Sequence, residues 1–341
     1  MTGLMKNNMK FLAILLISAM GLNSCDSSER SGGSETATTT EEEEATVKAP
    51  AFNADSAYYF VEQQVAFGPR VPNTAEHYKT GEWLIETLRS YGAEVQVQSF
   101  QARAFDGKML NLRNIIATIN PNAAKRVLLA AHWDTRPFAD KDDKDQNQPI
   151  DGANDGASGV GVLLEIARTI KAAEQKPGIG VDIILFDGED YGRPDDSEFP
   201  YMQDDWCLGS QYWSKNKHVP NYKAHYGILL DMVGGENAKF AREGNSMQYA
   251  RNIVDKVWRA GNKIGYSDYF KYVNAPAITD DHYYVNTVGG IRMIDIIEYN
   301  MGNPDDYFGP YHHRHTDTMD IISKNTLKAV GQTLLHVLYN E

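Results

Sequence analysis

Cysteine is nearly absent: 341 residues carry only Cys25 and Cys207. No intrachain disulfide is therefore expected, even in a compartment that would permit one, and no thiolate metal cluster can form. Positive charge is also scarce, with 33 Lys and Arg against 46 Asp and Glu and a formal charge of −13. That balance argues against a nucleic-acid partner, because phosphate binding needs a basic footprint. Some of the acidity lies in the run "TTTEEEEA", so the folded part is less extreme. Internal repeats are missing, and so is any second low-complexity linker after residue 51.

The first 24 residues do not belong to the fold. Lys6 and Lys10 precede an apolar stretch from Phe11, which is too short to span a bilayer and reads as a secretory signal. "LNSC" places Leu22, Asn23 and Ser24 before Cys25 in the form of a bacterial lipoprotein processing site. The expectation is a signal peptide over 1–24 and a lipid anchor on Cys25 of an exported bacterial lipoprotein, periplasmic or held at the outer membrane. An ordinary signal peptide cleaved nearby is the alternative. Residues 25–49 have almost no large apolar side chains and should form a flexible acidic tether. A single catalytic domain is expected over 50–341.

Within that domain "NADSAYYFVEQQVAFG", "NTAEHYKTGEWLIETLRSYG", "GASGVGVLLEIARTIKAAE", "NSMQYARNIVDKVWRAGNKIG" and "SKNTLKAVGQTLLHVLY" show helical periodicity. "AEVQVQSFQ" alternates as a half-exposed strand. "RVLLAAH", "VDIILFD", "GILLDM" and "IRMIDII" are short continuous apolar runs, as strands buried on both faces require. The pattern predicts an α/β three-layer sandwich with a mixed, mostly parallel central sheet flanked by helices.

Ligands of such sheets bind beyond the carboxyl ends of the strands. Three of the four buried runs end on polar residues there: His132 and Asp134; Asp187, Glu189 and Asp190; and Asp231. Adjacent Glu189 and Asp190 repel each other in a dry site, unless a cation takes one and a proton the other. The candidate ligands are His132, Asp155 in "DGANDGASG", Glu189, Asp190, Asp231 and a histidine of "YHHRHTDTMD". Imidazole and carboxylate without thiolate suits a catalytic zinc with an open position. The Gly-rich turn around Asp155 lacks the lysine of a phosphate loop. Among the late histidines, the order His315-Thr316-Asp317 favours His315 over His312 and His313, because it sets a carboxylate beside the ligand. His77, His218, His225 and His336 read as structural, and "DKDDKDQNQ" as a solvated loop.

"AHWDTRP", "DGANDGASG", "LFDGED", "LLDMVG" and "HTD", in that order, resemble the zinc-dependent aminopeptidase superfamily, most closely its glutaminyl-peptide cyclotransferases. The resemblance implies a zinc exopeptidase-like fold and one zinc ion on Asp155, Asp190 and His315. It makes Glu189 the acid/base, and Asp231 with Asp281 a hydrogen-bonded pair of acids. His132 and Asp231 match the second-metal positions of two-zinc aminopeptidases. The implied partners are peptides or proteins with a free N-terminal Gln, acted on by a chain taken as a monomer. Two departures stand out: Asp190 replaces the usual glutamate, and Arg314 precedes His315 where mammalian cyclases carry tryptophan. Trp133 and Trp206 are the candidate replacements for that substrate-binding wall. The competing reading is a two-zinc aminopeptidase, and a noncatalytic binding module is a third.

Overall fold

A computed structural model of the chain describes residues 47–341, apart from 201–203 and 304–306. The expected signal peptide, the lipidated Cys25 and nearly all of the tether lie outside the described residues. The last tether residues do not: the Val47 amide donates to Asn340 Oδ1 at 2.7 Å, and Ala49 packs against the core.

Helix α1 (Ala54–Ala66) starts where Asn53 Oδ1 accepts the amides of Asp55 and Ser56 at 3.0 and 3.1 Å. Helix α2 (Ala75–Ser90) is capped by Thr74 rather than Asn73, which takes a left-handed φ of 74°. A hairpin of β1 (Glu94–Arg103) and β2 (Met109–Ile119) follows. The chain then runs through β3 (Arg126–His132), α3 (Ala157–Ala172), β4 (Gly180–Phe186), α4 (Leu208–Lys215) and β5 (Tyr226–Asp231). Next come β6 (Phe240–Arg242), α5 (Gly244–Lys263), β7 (Phe270–Asn274), α6 (Asp281–Thr287), β8 (Met293–Ile297) and α7 (Lys324–Tyr339).

The main sheet has the order β1-β2-β4-β3-β5-β8. Strands β4, β3, β5 and β8 pair in parallel, and the β1–β2 hairpin joins antiparallel. Alternate strand residues part to two faces. Leu129, Ile183, Ile228 and Ile294 pack with residues of α1, α2, α3, α5 and α7, whereas Leu128, Ile184, Leu229 and Met293 meet Trp213 of α4 and Val285 of α6. These are the three layers that the apolar runs predict. After β4 the chain crosses back past β3 to β5, so the carboxyl ends of β3, β4 and β5 open a crevice where a ligand of an α/β sheet binds.

Candidate active site

That crevice gathers the polar strand ends. His132 closes β3 and Asp231 closes β5. Asp155 arrives on a turn whose Gly156 has φ +87°, where a Cβ would stand 3.0 Å from His132 Cε1 and 2.9 Å from the Asp134 carbonyl. Only glycine brings the backbone so close. The buried Asp134 carboxylate accepts the amides of Glu189 and Asp190 at 3.0 and 3.2 Å and so fixes the turn after β4. His132 Nε2 lies 3.1 Å from Asp155 Oδ1 and 3.2 Å from Asp231 Oδ1. On the other side of Asp155, His313 Nε2 lies 3.3 Å from Asp190 Oδ1 and 3.9 Å from Asp155 Oδ2. A cavity of about 440 Å³ opens over these groups, walled by Trp206, Glu189, Asp231, Asp280 and Phe308.

Four residues singled out in the sequence are not where they were expected. His315 points away: its Nδ1 and its amide both meet Asp142 Oδ2 at 2.7 Å, and its side chain is 39% exposed. His313 adopts φ +56° and turns its ring inward in its place. The carboxylate that had favoured His315 serves elsewhere, because Asp317 accepts the amides of Asn154 and Asp155 at 2.7 and 3.0 Å. This contact ties the histidine turn to the Asp155 turn. Asp281, the first residue of α6, is buried against Ser210, whereas its neighbour Asp280 caps the helix and lines the cavity. Trp133 is fully buried, stacked on His77 at 4.3 Å with Nε1 donating to the Arg113 carbonyl, so it belongs to the core. Trp206 does reach the cavity, parallel to the His313 ring with centroids 5.8 Å apart and under the Arg136 guanidinium at 4.5 Å. Asp187 also turns from the rim. It binds His77 Nε2 at 2.9 Å and accepts the Arg113 amide, giving that histidine an acidic partner.

Residues 114–338 match the family described as peptidase family M28. The chain belongs to that family. Among solved structures it is similar to Bacteroides thetaiotaomicron glutaminyl cyclase bound to N-acetylhistamine, at 52% identity and a TM-score of 0.83, covering 86% of this chain and all of that one. A Zn-dependent exopeptidase from Parabacteroides distasonis gives the same identity, coverage and TM-score. The Drosophila melanogaster glutaminyl-peptide cyclotransferase is 28% identical over 177 residues, which span 50% of this chain and 46% of that relative. The chain thus matches about half the length, or less, of the curated cyclotransferases named first among its relatives.

The electrostatics of this M28 rim answer the question of the adjacent acids. Burial raises the Asp190 carboxyl to about 6, helped by Asp155 and opposed by His313 and Arg136. Burial likewise raises Asp231 to about 7 against the pull of His132. Asp155 is also buried, yet the hydrogen bond and charge of His132 hold it below its usual range. Glu189 is pushed well above the usual carboxyl range, by burial first and then by Asp280, Asp190 and Asp281, with His132 opposing. Among the described residues, its Oε1 accepts the weak Cys207 Sγ donor, at 3.1 Å. Among the described residues neither buried Asp190 oxygen makes a well-aligned hydrogen bond, and the nearest imidazole nitrogen, His313 Nε2, stands 3.3 Å from Oδ1. His312 is pushed well below the imidazole range by burial and by His313. Unpartnered carboxylate oxygens beside imidazole nitrogens, in a dry site, make the donor set of a divalent cation such as zinc. Asp155, His312 and His313 form one group of mutually close donor atoms, and His132, Asp155 and Asp231 form another.

Proposed function

We propose that this protein is a zinc-dependent glutaminyl-peptide cyclotransferase, converting an N-terminal glutamine to pyroglutamate with release of ammonia. The observation that carries the reading is the 52% identity to a solved glutaminyl cyclase over 86% of this chain and all of that one. The rim fits the chemistry. Asp155, Asp190 and His313 are the residues that would hold one zinc, with His313 in the place first given to His315. Zinc bound there would supply Lewis acidity toward the γ-carbonyl of the substrate glutamine.

Cyclisation forms a bond from the α-nitrogen to Cδ and breaks the bond from Cδ to the amide nitrogen. No outside nucleophile enters, so the protein's work is to position and to move protons. Glu189, held high by burial, takes a proton from the amine and delivers it to the departing nitrogen, a service worth about 10²–10⁴ in rate. Asp231, raised to about 7 chiefly by burial, lines the same cavity as Asp280 and can donate to or accept from a nitrogen there. Trp206 walls the cavity for the aliphatic part of the glutamine.

A two-zinc aminopeptidase is the second reading, favoured by one observation: donor atoms of His132, Asp155 and Asp231 lie within 4.8 Å of one another. Against it, His132 Nε2 sits at hydrogen-bond distance from both carboxylates, an arrangement that a ring N–H satisfies without a second ion. Incubating the purified protein with a Gln-initiated and a Leu-initiated peptide separates the two. Ammonia from the first and no cleavage of the second is the expected result, whereas released leucine would establish the peptidase. Export and lipid anchoring through Cys25 are part of the proposal and rest on residues 1–25 alone.

A further inference from the structure

Beneath the cavity lies a row of ionisable residues that the reaction above does not use. Glu243, His282 and Asp295 are all fully buried. Asp295 interrupts the otherwise apolar strand β8, between Ile294 and Ile296, on the face that α6 covers. Packing does not explain a carboxylate there, and burying one without compensation costs several kcal/mol. Its neighbour on one side is Asp280, one of whose carboxylate oxygens lies within 4.8 Å of one of its own. Its neighbour on the other side is His282, whose Nδ1 lies 3.7 Å from Asp295 Oδ2. His282 Nε2 in turn donates to Glu243 Oε2 at 3.0 Å.

Glu243 is itself tightly held. It caps α5 by accepting the amides of Asn245 and Ser246 at 2.7 and 2.6 Å, and it accepts the Ile278 amide at 3.0 Å. The cap is satisfied without His282, so the histidine is not there to complete it. The histidine stands between a fixed anion and a carboxyl pair whose outer member lines the cavity. That outer member, Asp280, brings a carboxylate oxygen within 4.8 Å of donor atoms of Glu189 and Cys207.

We propose that His282, braced by Glu243, is a positioning residue that sets the orientation of Asp295 and, through it, of Asp280 opposite Glu189. The inference rests on the cyclase reading and adds residues that never touch substrate. A carboxyl group free to swing at Asp280 would meet the reacting nitrogen in the wrong direction, and a misplacement of this kind costs rate rather than binding. The row moves no net proton; it holds the Asp280 carboxyl in place.

The test uses the full chain loaded with zinc and a Gln-initiated peptide, comparing His282→Gln, Asp295→Asn, their double variant and Glu243→Asp. The last keeps an N-cap for α5 while withdrawing the carboxylate from His282 by one methylene, and it serves if His282→Gln does not fold. For His282→Gln, kcat is expected to fall by about 10–100-fold, as for other supporting residues of active sites. KM should stay within about twofold and zinc content should not change. The double variant should be no slower than Asp295→Asn alone, since both substitutions break one chain of contacts. Unchanged kcat in His282→Gln or Glu243→Asp would overturn the proposal, as would losses that multiply in the double variant. A second metal equivalent that vanishes in His282→Gln would also overturn it, showing a buried ion held by Asp280, His282 and Asp295. A wild-type protein that releases no ammonia sinks the cyclase reading itself, whereas an active wild type with indifferent variants sinks only this inference.

Discussion

Stripping the metal should make the fold acid-loving. Without a cation the rim holds Asp190 raised from 3.8 to about 6 and Asp231 raised from 3.8 to about 7, both chiefly by burial. A carboxyl whose folded pKa exceeds its unfolded one keeps a proton that the unfolded chain releases. It therefore costs stability above pH 3.8, increasingly as pH rises, and the full cost is present above the folded value. His132 and His313 are raised from 6.5, so their contribution is present below that pH and is lost on passing their folded values. Between pH 5 and 8 all four groups act in the same direction; His312, pushed well below the imidazole range, acts against them up to pH 6.5. At about 1.4 kcal/mol per pH unit, Asp190 and Asp231 would cost about 3 and about 4 kcal/mol over their full ranges. They share partners and part of the cost is already present at pH 5, so about 3 kcal/mol remains across the window. For a domain of this size that is a fall in Tm of roughly 5–10 °C. Thermal unfolding of chelator-treated protein at pH 5, 6, 7 and 8 measures it. The zinc-loaded protein should gain stability with pH as its ligands lose protons, so the gap between the two curves should widen. A chelated Tm that is flat or rises from pH 5 to 8 would refute the reasoning, and so would a gap that stays constant.

Three further outcomes follow from the same geometry. Glu189→Gln should lower kcat by about 10²–10⁴ while zinc stays bound, because Glu189 moves the proton and Asp190 holds the metal; kinetics paired with metal analysis decide it. His313→Asn should weaken zinc binding at least tenfold in a competition titration, whereas His315→Asn should leave it within about twofold, since His315 only meets Asp142 at the surface. Gly192→Ala would set a Cβ 1.9 Å from Trp206 Cδ2. The displaced ring should raise KM for a Gln-initiated peptide about tenfold or more with metal content unchanged, readable by steady-state kinetics.

Much of this molecule is written in its periodicities. The four apolar runs became β3, β4, β5 and β8, because a strand covered on both sides has no polar positions to spare. Strand β2 was missed: Asn111, Arg113 and Asn114 break its run, and Asn114 is tolerated only because it donates to the Gly209 carbonyl and accepts the Asp187 amide. Strand β6 has only three residues, and β7, in which Phe270 alone is buried, carries no apolar run. At the rim, His132, Asp155, Glu189, Asp190 and Asp231 could be picked out because they end strands or sit in a glycine turn. Choosing His313 over His315, Asp280 over Asp281 and Trp206 over Trp133 required the structure. A left-handed residue decides which of three histidines turns inward, and a helix cap decides which of two aspartates faces the cavity. Sequence proximity of Asp317 to His315 misled because that carboxylate serves two backbone amides instead.

The central claim is that one cation sits among Asp155, Asp190 and His313. Anomalous diffraction at the zinc edge, from crystals grown with zinc, tests it most directly. The account predicts one strong peak per chain, bounded by those three side chains. A second peak of similar strength against His132 and Asp231, or a peak beside His315 with none at His313, would contradict it.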